Sequence, residues 1–134
     1  LVNAVADPSR VQASGIRIIS AEPYRNVRIE NNIIHQDRFD VAQVPNSSNI
    51  AFANNLWSTQ PPASASGPGD VVGNPNLMNQ VSSLPSGGVD AGRFGIQPSS
   101  PAIDTARQLP EVSTDFFGQP RLGVPDIGAY ERGS

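Results

Sequence analysis

Two segments of this sequence repeat one another, and the repeat limits the folds that the chain can adopt. Asn26–Ile34 (NVRIENNII) and Asn49–Trp57 (NIAFANNLW) align without gaps at an offset of 23 residues. Gly15–Ser20 (GIRIIS) resembles a partial earlier copy of the same strand. A period in the twenties is typical of a solenoid, in which each repeat packs on its neighbours. The alternative is a meander in which two similar strands occur by chance.

Within each copy, apolar residues alternate with others and then meet a pair of asparagines. The alternation indicates a strand with one buried face. Asparagine tolerates left-handed backbone angles and bonds its own backbone, so a single residue of this type can turn a strand through a corner. We therefore predict that Asn31 stacks on Asn54, and Asn32 on Asn55, in parallel strands of adjacent coils. Stacked amide side chains bond along such an axis.

Proline and glycine argue against a helical protein. The chain contains 13 Pro and 12 Gly, which are concentrated after residue 60. No stretch of helical length has an amphipathic period of 3.6 residues. The prediction is an all-β fold with long connections. At 134 residues the chain is expected to form one domain with a modest core.

Charge and composition exclude several classes of partner. The net charge is -3 and the isoelectric point is near 4.9, which argues against nucleic acid and anionic membrane surfaces. Cysteine is absent, so neither a disulfide framework nor a thiolate metal site is expected. No apolar run reaches the length of a membrane span, and no signal peptide is visible. Because the chain starts at Leu1 rather than Met, we expect it to be a piece of a longer protein.

The C-terminal half carries a set of short motifs. They are SPAID at Ser100–Asp104, DFFGQPR at Asp115–Arg121, Gly123, PDIGAYE at Pro125–Glu131 and, upstream, GNPNLMN at Gly73–Asn79. With the asparagine corners, they resemble right-handed parallel β-helix proteins of the pectate-lyase-like superfamily, and in particular the C-terminal end of a bacterial branch. The resemblance covers nearly the whole chain. It implies an all-β fold with a short right-handed parallel β-helix of three to four coils over about residues 1–60, then last strands and an irregular C-terminal cap over about 61–134.

The resemblance makes PDIGAYE part of the closing element of a solenoid rather than a reaction centre. A solenoid end exposes unpaired strand groups and an apolar cross-section, which need cover. We expect apolar cover from Ile103, Phe116, Phe117, Ile127, Ala129 and Tyr130. We expect a polar clasp between Arg121 and the acids Asp104, Asp115, Asp126 and Glu131. The alternative is a Ca²⁺ site with Asp104, Asp115 and Asp126 as candidate ligands, although these acids lack the close spacing of a dedicated loop.

No residue is predicted to be catalytic. His35, the only histidine, is either a general base beside Asp37 or part of a solvated loop. Arg28 and Glu30 are expected at one edge of a flat, exposed face. The full set of candidate carbohydrate contacts is Tyr24, Arg25, Arg28, Glu30, His35, Asp37, Arg38 and Trp57. Trp57 is also a candidate core residue, because it aligns with Ile34.

The resemblance implies two classes of function. The first is a non-catalytic carbohydrate-binding β-helical module, or a C-terminal segment of a secreted polysaccharide-active protein, with a plant cell-wall polysaccharide such as xylan or pectin as partner. The second is the tail of a β-helical lyase or glycoside hydrolase; a structural segment of a surface adhesin is a further alternative. All three imply a bacterial, secreted or cell-surface protein, without a cofactor unless Ca²⁺ binds. The N-terminal edge is expected to meet a preceding coil or a second copy of the chain.

Overall fold

The computed structural model describes residues 14–20, 23–37, 39–46, 48–79 and 90–132, and these residues form short strands joined by long connections. The strands are β1 (Ser14–Arg17), β2 (Arg28–Glu30), β3 (Ile33–Ile34), β4 (Asp40–Gln43), β5 (Ala51–Ala53), β6 (Leu56–Trp57) and β7 (Val71–Val72). Two single-turn 3₁₀ helices, Ala63–Ala65 and Ala91–Phe94, are the only helical elements in these ranges. The predicted all-β class is therefore confirmed.

Every named strand pair is parallel, and β1, β2 and β3 each pair with the third strand that follows. The sheets are β1–β4, β2–β5 and β3–β6–β7. In the second pair Ile29 lies opposite Phe52, and in the third Ile33 lies opposite Leu56, so the register keeps the offset of the sequence repeat. A hairpin meander would place neighbouring strands antiparallel. The meander alternative is therefore wrong for the two aligned copies.

Asparagines turn the chain between successive strands, as the repeat predicts. Asn31 and Asn54 have φ values of 57° and 49°, in the left-handed region. Asn32 and Asn55, which follow these two residues, point their side chains along the stack of parallel strands. Asn55 Oδ1 accepts hydrogen bonds from Asn32 N at 3.0 Å and from Asn32 Nδ2 at 3.1 Å. The predicted stacking of Asn32 on Asn55 is confirmed.

The third corner of this column has a different sequence. Gly69 and Asp70 stand where the two repeats have asparagines, because Leu56 pairs with Val71. Gly69 has a φ of 74°, and Asp70 Oδ1 accepts a hydrogen bond from Asn55 N at 2.9 Å. Asn32, Asn55 and Asp70 thus form one hydrogen-bonded column, called the ladder below.

Two apolar clusters lie on opposite faces of the β3–β6–β7 sheet. One contains Ile34, Val41, Ala42, Phe52, Trp57 and Ala65, between the strand pairs. The other contains Ile33, Leu56, Leu77, Ile96, Ala102, Ala106 and Ile127. Successive residues of a strand point to opposite faces, so Ile33 and Leu56 face the second cluster while Ile34 and Trp57 face the first. Strands β3 and β6 are therefore buried on both sides, whereas Val72 of β7 is 48% exposed.

Residues 90–132, called the C-terminal cover below, pack along the side of the strand stack. Asn31 and Arg107 exchange two hydrogen bonds, of 2.7 and 2.9 Å, and Asn54 Nδ2 donates to Thr105 O at 3.2 Å. Gly128 N donates to Asn31 O at 3.0 Å. The sequence led us to expect this region to close the end of a solenoid. Instead, the C-terminal cover contacts β3, β6 and the corner asparagines, and it covers one face of the sheet.

The expected composition of that apolar cover needs correction. Ile127 is fully buried and Ile103 and Tyr130 pack against the second cluster, as expected. Phe116 and Phe117, however, are 71% and 48% exposed. They lie on a tight turn in which Asp115 N donates a hydrogen bond to Gln119 O, and of the two rings Phe117 contacts Tyr130.

Candidate functional site

The acids and the arginine of the C-terminal motifs form a buried clasp. Arg121 Nη1 lies 2.8 Å from Glu131 Oε2, and the two side chains are only 9% and 8% exposed. The same guanidinium donates to Asp126 O at 3.0 Å and to Gly128 O at 2.7 Å. The predicted pairing of Arg121 with one of these acids is confirmed.

Asp115 and Asp126 complete the clasp by accepting backbone hydrogen bonds. Asp115 Oδ1 accepts from the N–H groups of Phe117 and Gln119, both at 2.8 Å, and its Oδ2 accepts from Glu131 N at 3.0 Å. A carboxylate in this position fixes a turn by satisfying donors that the turn leaves unpaired.

Asp126 makes a similar set of contacts in the next loop. Its Oδ1 accepts from Asp104 N at 2.9 Å and its Oδ2 accepts from Arg132 N at 2.7 Å. Asp126 N in turn donates to Glu131 Oε2 at 3.1 Å. The clasp, defined as Asp115, Arg121, Asp126 and Glu131, therefore joins three loops of the C-terminal cover.

Two acids of the clasp, Asp115 and Glu131, have pKa values shifted in opposite directions. Burial acts to raise the pKa of Asp115, but three backbone N–H groups and the charge of Arg121 outweigh it and hold the pKa below its ordinary value. Burial raises the pKa of Glu131, and the charges of Asp126 and Asp115 add to the rise. The N–H of Asp126 and the charge of Arg121 reduce that rise without reversing it.

This arrangement does not resemble a calcium cage. Both carboxylate oxygens of Asp115 and of Asp126 point to N–H donors, whereas Ca²⁺ needs six to eight oxygen ligands directed at one point. Asp104 contributes its N–H rather than its carboxylate to the clasp. In the parts of the chain that the structure describes, no three His, Asp or Glu side chains come together as metal ligands. The candidate set Asp104, Asp115 and Asp126 is not assembled around one point.

A cleft of about 550 Å³ opens beside the clasp. Its walls combine apolar, amide and charged groups. They are formed by Pro98, Ile103, Asp104, Gln119, Pro120, Leu122, Asp126, Tyr130, Glu131 and Arg132. The ring of Tyr130 lies 6.0 Å from that of Phe117 and nearly perpendicular to it, and Phe117 packs edge-on with Phe116 at 5.3 Å. The aromatic neighbour thus restricts the orientation of the ring that lines the cleft.

The predicted pair Arg28 and Glu30 lies elsewhere, on the outside of the strand stack. Glu30 Oε1 is 3.6 Å from Arg28 Nε and 3.4 Å from Arg107 Nη1. Arg28 also approaches Glu111 at 4.0 Å. The Glu30 side chain is only 7% exposed, so the expectation that it lies on a flat, exposed face is wrong. The C-terminal cover buries it by placing Arg107 over the strand.

Trp57 is excluded as a surface contact for a sugar. It is fully buried between the strand pairs, 6.1 Å from the ring of Phe52. Its Nε1 donates to Asp70 Oδ2 at 2.9 Å, which satisfies the indole nitrogen inside the core. The alternative that placed Trp57 in the core is confirmed.

The remaining candidates differ in their exposure. Tyr24 is half-buried, and its N–H donates to Ser48 O at 2.9 Å, whereas Arg25 is exposed. His35 is half-buried with Nδ1 enclosed and without a hydrogen bond, and Asp37 is exposed. Arg38 lies outside the described residues.

Several residues that line the cleft are not predicted from the sequence. Gln119, Leu122 and Arg132 are far apart from Asp104 in the chain and come together only because the clasp fixes their loops. The motif containing Tyr130 is visible in the sequence, but it indicates apolar cover rather than a cleft wall. In the sequence, Arg132 is distinguished only by its charge, directly after the PDIGAYE motif.

No protein-family model matches the chain, and a search of curated proteins finds no match. In the described ranges, neither 3₁₀ helix approaches the length or the apolar character needed to cross a membrane. The grounds for assigning a function are therefore the fold and the contacts of the C-terminal cover.

Proposed function

We propose that this chain is a non-catalytic carbohydrate-binding segment of a secreted, polysaccharide-active bacterial protein, built as a short right-handed parallel β-helix. The support for the β-helix is the parallel stacking of two sequence copies at a 23-residue offset, with hydrogen-bonded asparagines at the corners. A coiled parallel stack presents long, rigid sides, on which an extended polymer can lie.

The cleft beside the clasp is the observation that carries the proposed binding. Sugar rings present apolar faces and hydroxyl groups, and they therefore bind where an aromatic or aliphatic surface adjoins polar side chains. The cleft offers Tyr130 and Leu122 as apolar surface, with Asp104, Gln119 and Arg132 as polar groups. Its volume of about 550 Å³ is within the range of small-ligand sites.

The carboxylates of this region support binding rather than glycoside hydrolysis. Hydrolysis needs one carboxyl group as acid and a second as nucleophile or base, each free to reach the substrate. In the clasp, Asp126 accepts two backbone hydrogen bonds and Glu131 is held by Arg121. We expect these groups to hold the walls of the cleft rather than to transfer protons.

Gln119 provides a test of the site with little risk to the fold. Its backbone carries the contacts of the turn with Asp115, while its exposed side chain lines the cleft. We expect Gln119→Ala to weaken retention in affinity gels containing soluble xylan or pectin about threefold to tenfold, which is the loss of about one hydrogen bond. Gln108→Ala removes another exposed amide, which does not line the cleft, and it should leave retention unchanged.

Equal effects of the two substitutions would place any binding outside the cleft. An absence of retention on every polysaccharide would contradict the proposed function. An activity screen on the same polysaccharides belongs beside the gels, because release of new reducing ends or unsaturated products by the chain would favour the enzyme hypothesis instead.

A further inference from the structure

We propose that the cleft selects neutral sugar chains over polyuronates, an inference that rests on the proposed carbohydrate binding. The acidic and basic side chains among its walls are three carboxylic acids, Asp104, Asp126 and Glu131, and one guanidinium, Arg132. The molecule as a whole carries a net charge of -3. A polymer with a carboxylate on each sugar therefore meets a surface of its own sign, both at the cleft and at longer range.

Asp104 is the acid of the cleft best placed to meet a ligand. Asp126 uses both carboxylate oxygens on backbone N–H groups, and Glu131 is paired with Arg121 inside the clasp. Asp104 is exposed, and only its N–H takes part in the clasp. Its carboxylate is the charge of the cleft that a bound uronate approaches.

The single base of the cleft is tied to the protein. Arg132 Nη1 donates to Ile96 O at 3.1 Å, and the residue is half-buried. A guanidinium recognises a carboxylate best when its planar edge is free to form two parallel hydrogen bonds. Arg132 already uses one terminal nitrogen on the backbone, so its attraction for an anionic sugar offsets less of the repulsion from the acids.

Asp104 also permits a substitution that changes charge and little else. Its φ of 52° lies in the left-handed region, where asparagine is as well tolerated as aspartate. Asp104→Asn therefore keeps the size, the backbone conformation and the hydrogen bond that Asp104 N donates to Asp126. Asp40→Asn is the matched control, because Asp40 is exposed on β4 and does not line the cleft.

The experiment is a calorimetric titration of wild type and the two variants with a neutral xylo-oligosaccharide and a galacturonate oligomer of equal length. At low ionic strength, where charges are least screened, we expect wild type to bind the neutral oligomer more tightly. Asp104→Asn should raise affinity for the galacturonate oligomer about fivefold, the effect of removing one like charge at contact in water. Asp40→Asn should raise it much less, and Asp40→Asn should leave affinity for the neutral oligomer within about twofold of wild type.

The outcomes separate selectivity from binding itself. Tighter binding of the galacturonate oligomer by wild type, or equal gains in the two variants, would overturn the selectivity while leaving carbohydrate binding intact. If neither oligomer binds to wild type at any ionic strength, the proposed function fails and the selectivity falls with it.

Discussion

Gly69 has the same role at the third corner as Asn31 and Asn54 have at the first two. All three residues have positive φ, and each begins the turn that leads into the β3–β6–β7 sheet. At Gly69 there is a second restriction, because an added Cβ would lie 2.5 Å from Asn54 Nδ2. That nitrogen cannot move freely, since it donates to Thr105 O in the C-terminal cover.

Gly69→Ala and Gly123→Ala separate the two restrictions. Both glycines have a φ of 74°, but a Cβ at Gly123 would have no atom within 4 Å. We expect Gly123→Ala to cost about 1 kcal/mol of unfolding free energy through backbone strain alone. Gly69→Ala should cost about 1–3 kcal/mol more, because the new methyl group must displace the Asn54 amide. Urea unfolding of the two variants measures the difference, and equal losses would show that the corner has room for a side chain.

At the scale of single residues, the sequence predicted the corners that repeat and missed the one that does not. Asn31 and Asn54 could be identified because the same two letters recur in two aligned copies. Gly69 and Asp70 perform the same task with a different pair of residues, after a connection shorter than that between the copies, so no alignment marks them. Chemical equivalence of Asn–Asn and Gly–Asp at a left-handed turn is visible only when the strands are paired.

At the scale of elements, the ladder joins successive parallel strands through side chains as well as through backbone pairing. Asn55 is fully buried, its Oδ1 accepts two hydrogen bonds from Asn32, and its Nδ2 donates to Ile29 O at 2.8 Å. Asn32 is exposed at one end of the ladder, and its Nδ2 also donates to Glu30 O at 2.7 Å. The two asparagines therefore make related contacts in different surroundings.

We expect Asn55→Ala to destabilise the protein much more than Asn32→Ala. The first change removes three hydrogen bonds of a fully buried side chain, two with Asn32 and one with Ile29 O, at a total cost of about 3 kcal/mol. The second leaves a position that water can reach, at a cost of about 1 kcal/mol or less. Neither residue has a positive φ, so alanine adds no backbone strain. Thermal unfolding provides the comparison, and a larger loss for Asn32→Ala would argue against the ladder as a stabilising element.

The sequence favoured parallel strands but did not show how the C-terminal cover meets them. Ile33–Ile34 and Leu56–Trp57 are adjacent apolar pairs, a pattern that places one large side chain on each face of a strand. That pattern was the available signal for a sheet buried on both sides. Which segment provides the second layer depends on contacts between residues far apart in the chain, such as Asn31 with Arg107, and no local pattern encodes them.

At the scale of the whole molecule, the clasp should make stability depend on pH in two opposing ways. Asp115 has a lowered pKa in the folded state, so its contribution is present above its ordinary value of 3.8 and is lost as pH falls below it. Glu131 has a raised pKa, so the folded state takes up a proton before the unfolded state does. Acidification from neutral pH towards its ordinary value of 4.5 therefore favours folding through this group.

The two contributions can be separated by measuring melting temperature against pH for two variants. Relative to Glu131→Gln, the wild type should gain stability as pH falls from 7 towards 4.5. Relative to Asp115→Asn, the wild type should lose stability as pH falls below 3.8. Differences of the same sign for both variants would contradict the opposite shifts in pKa.

The lateral position of the C-terminal cover also links the spacing of the two sequence copies to the spacing of two residues in the cover. Arg107 bonds the corner of one repeat and Thr105 bonds the corner of the next, so a step of two residues along the cover matches a step of one whole repeat along the stack. Ordinary solenoids lengthen by duplication of a repeat, because each repeat contacts only its neighbours. Here a duplication between Asn31 and Asn54 would also require a matching insertion between Thr105 and Arg107, which are separated by 51 and 76 residues from the corners that they bond. Duplication of the segment between Asn31 and Asn54 alone would therefore break one of the two contacts with the C-terminal cover.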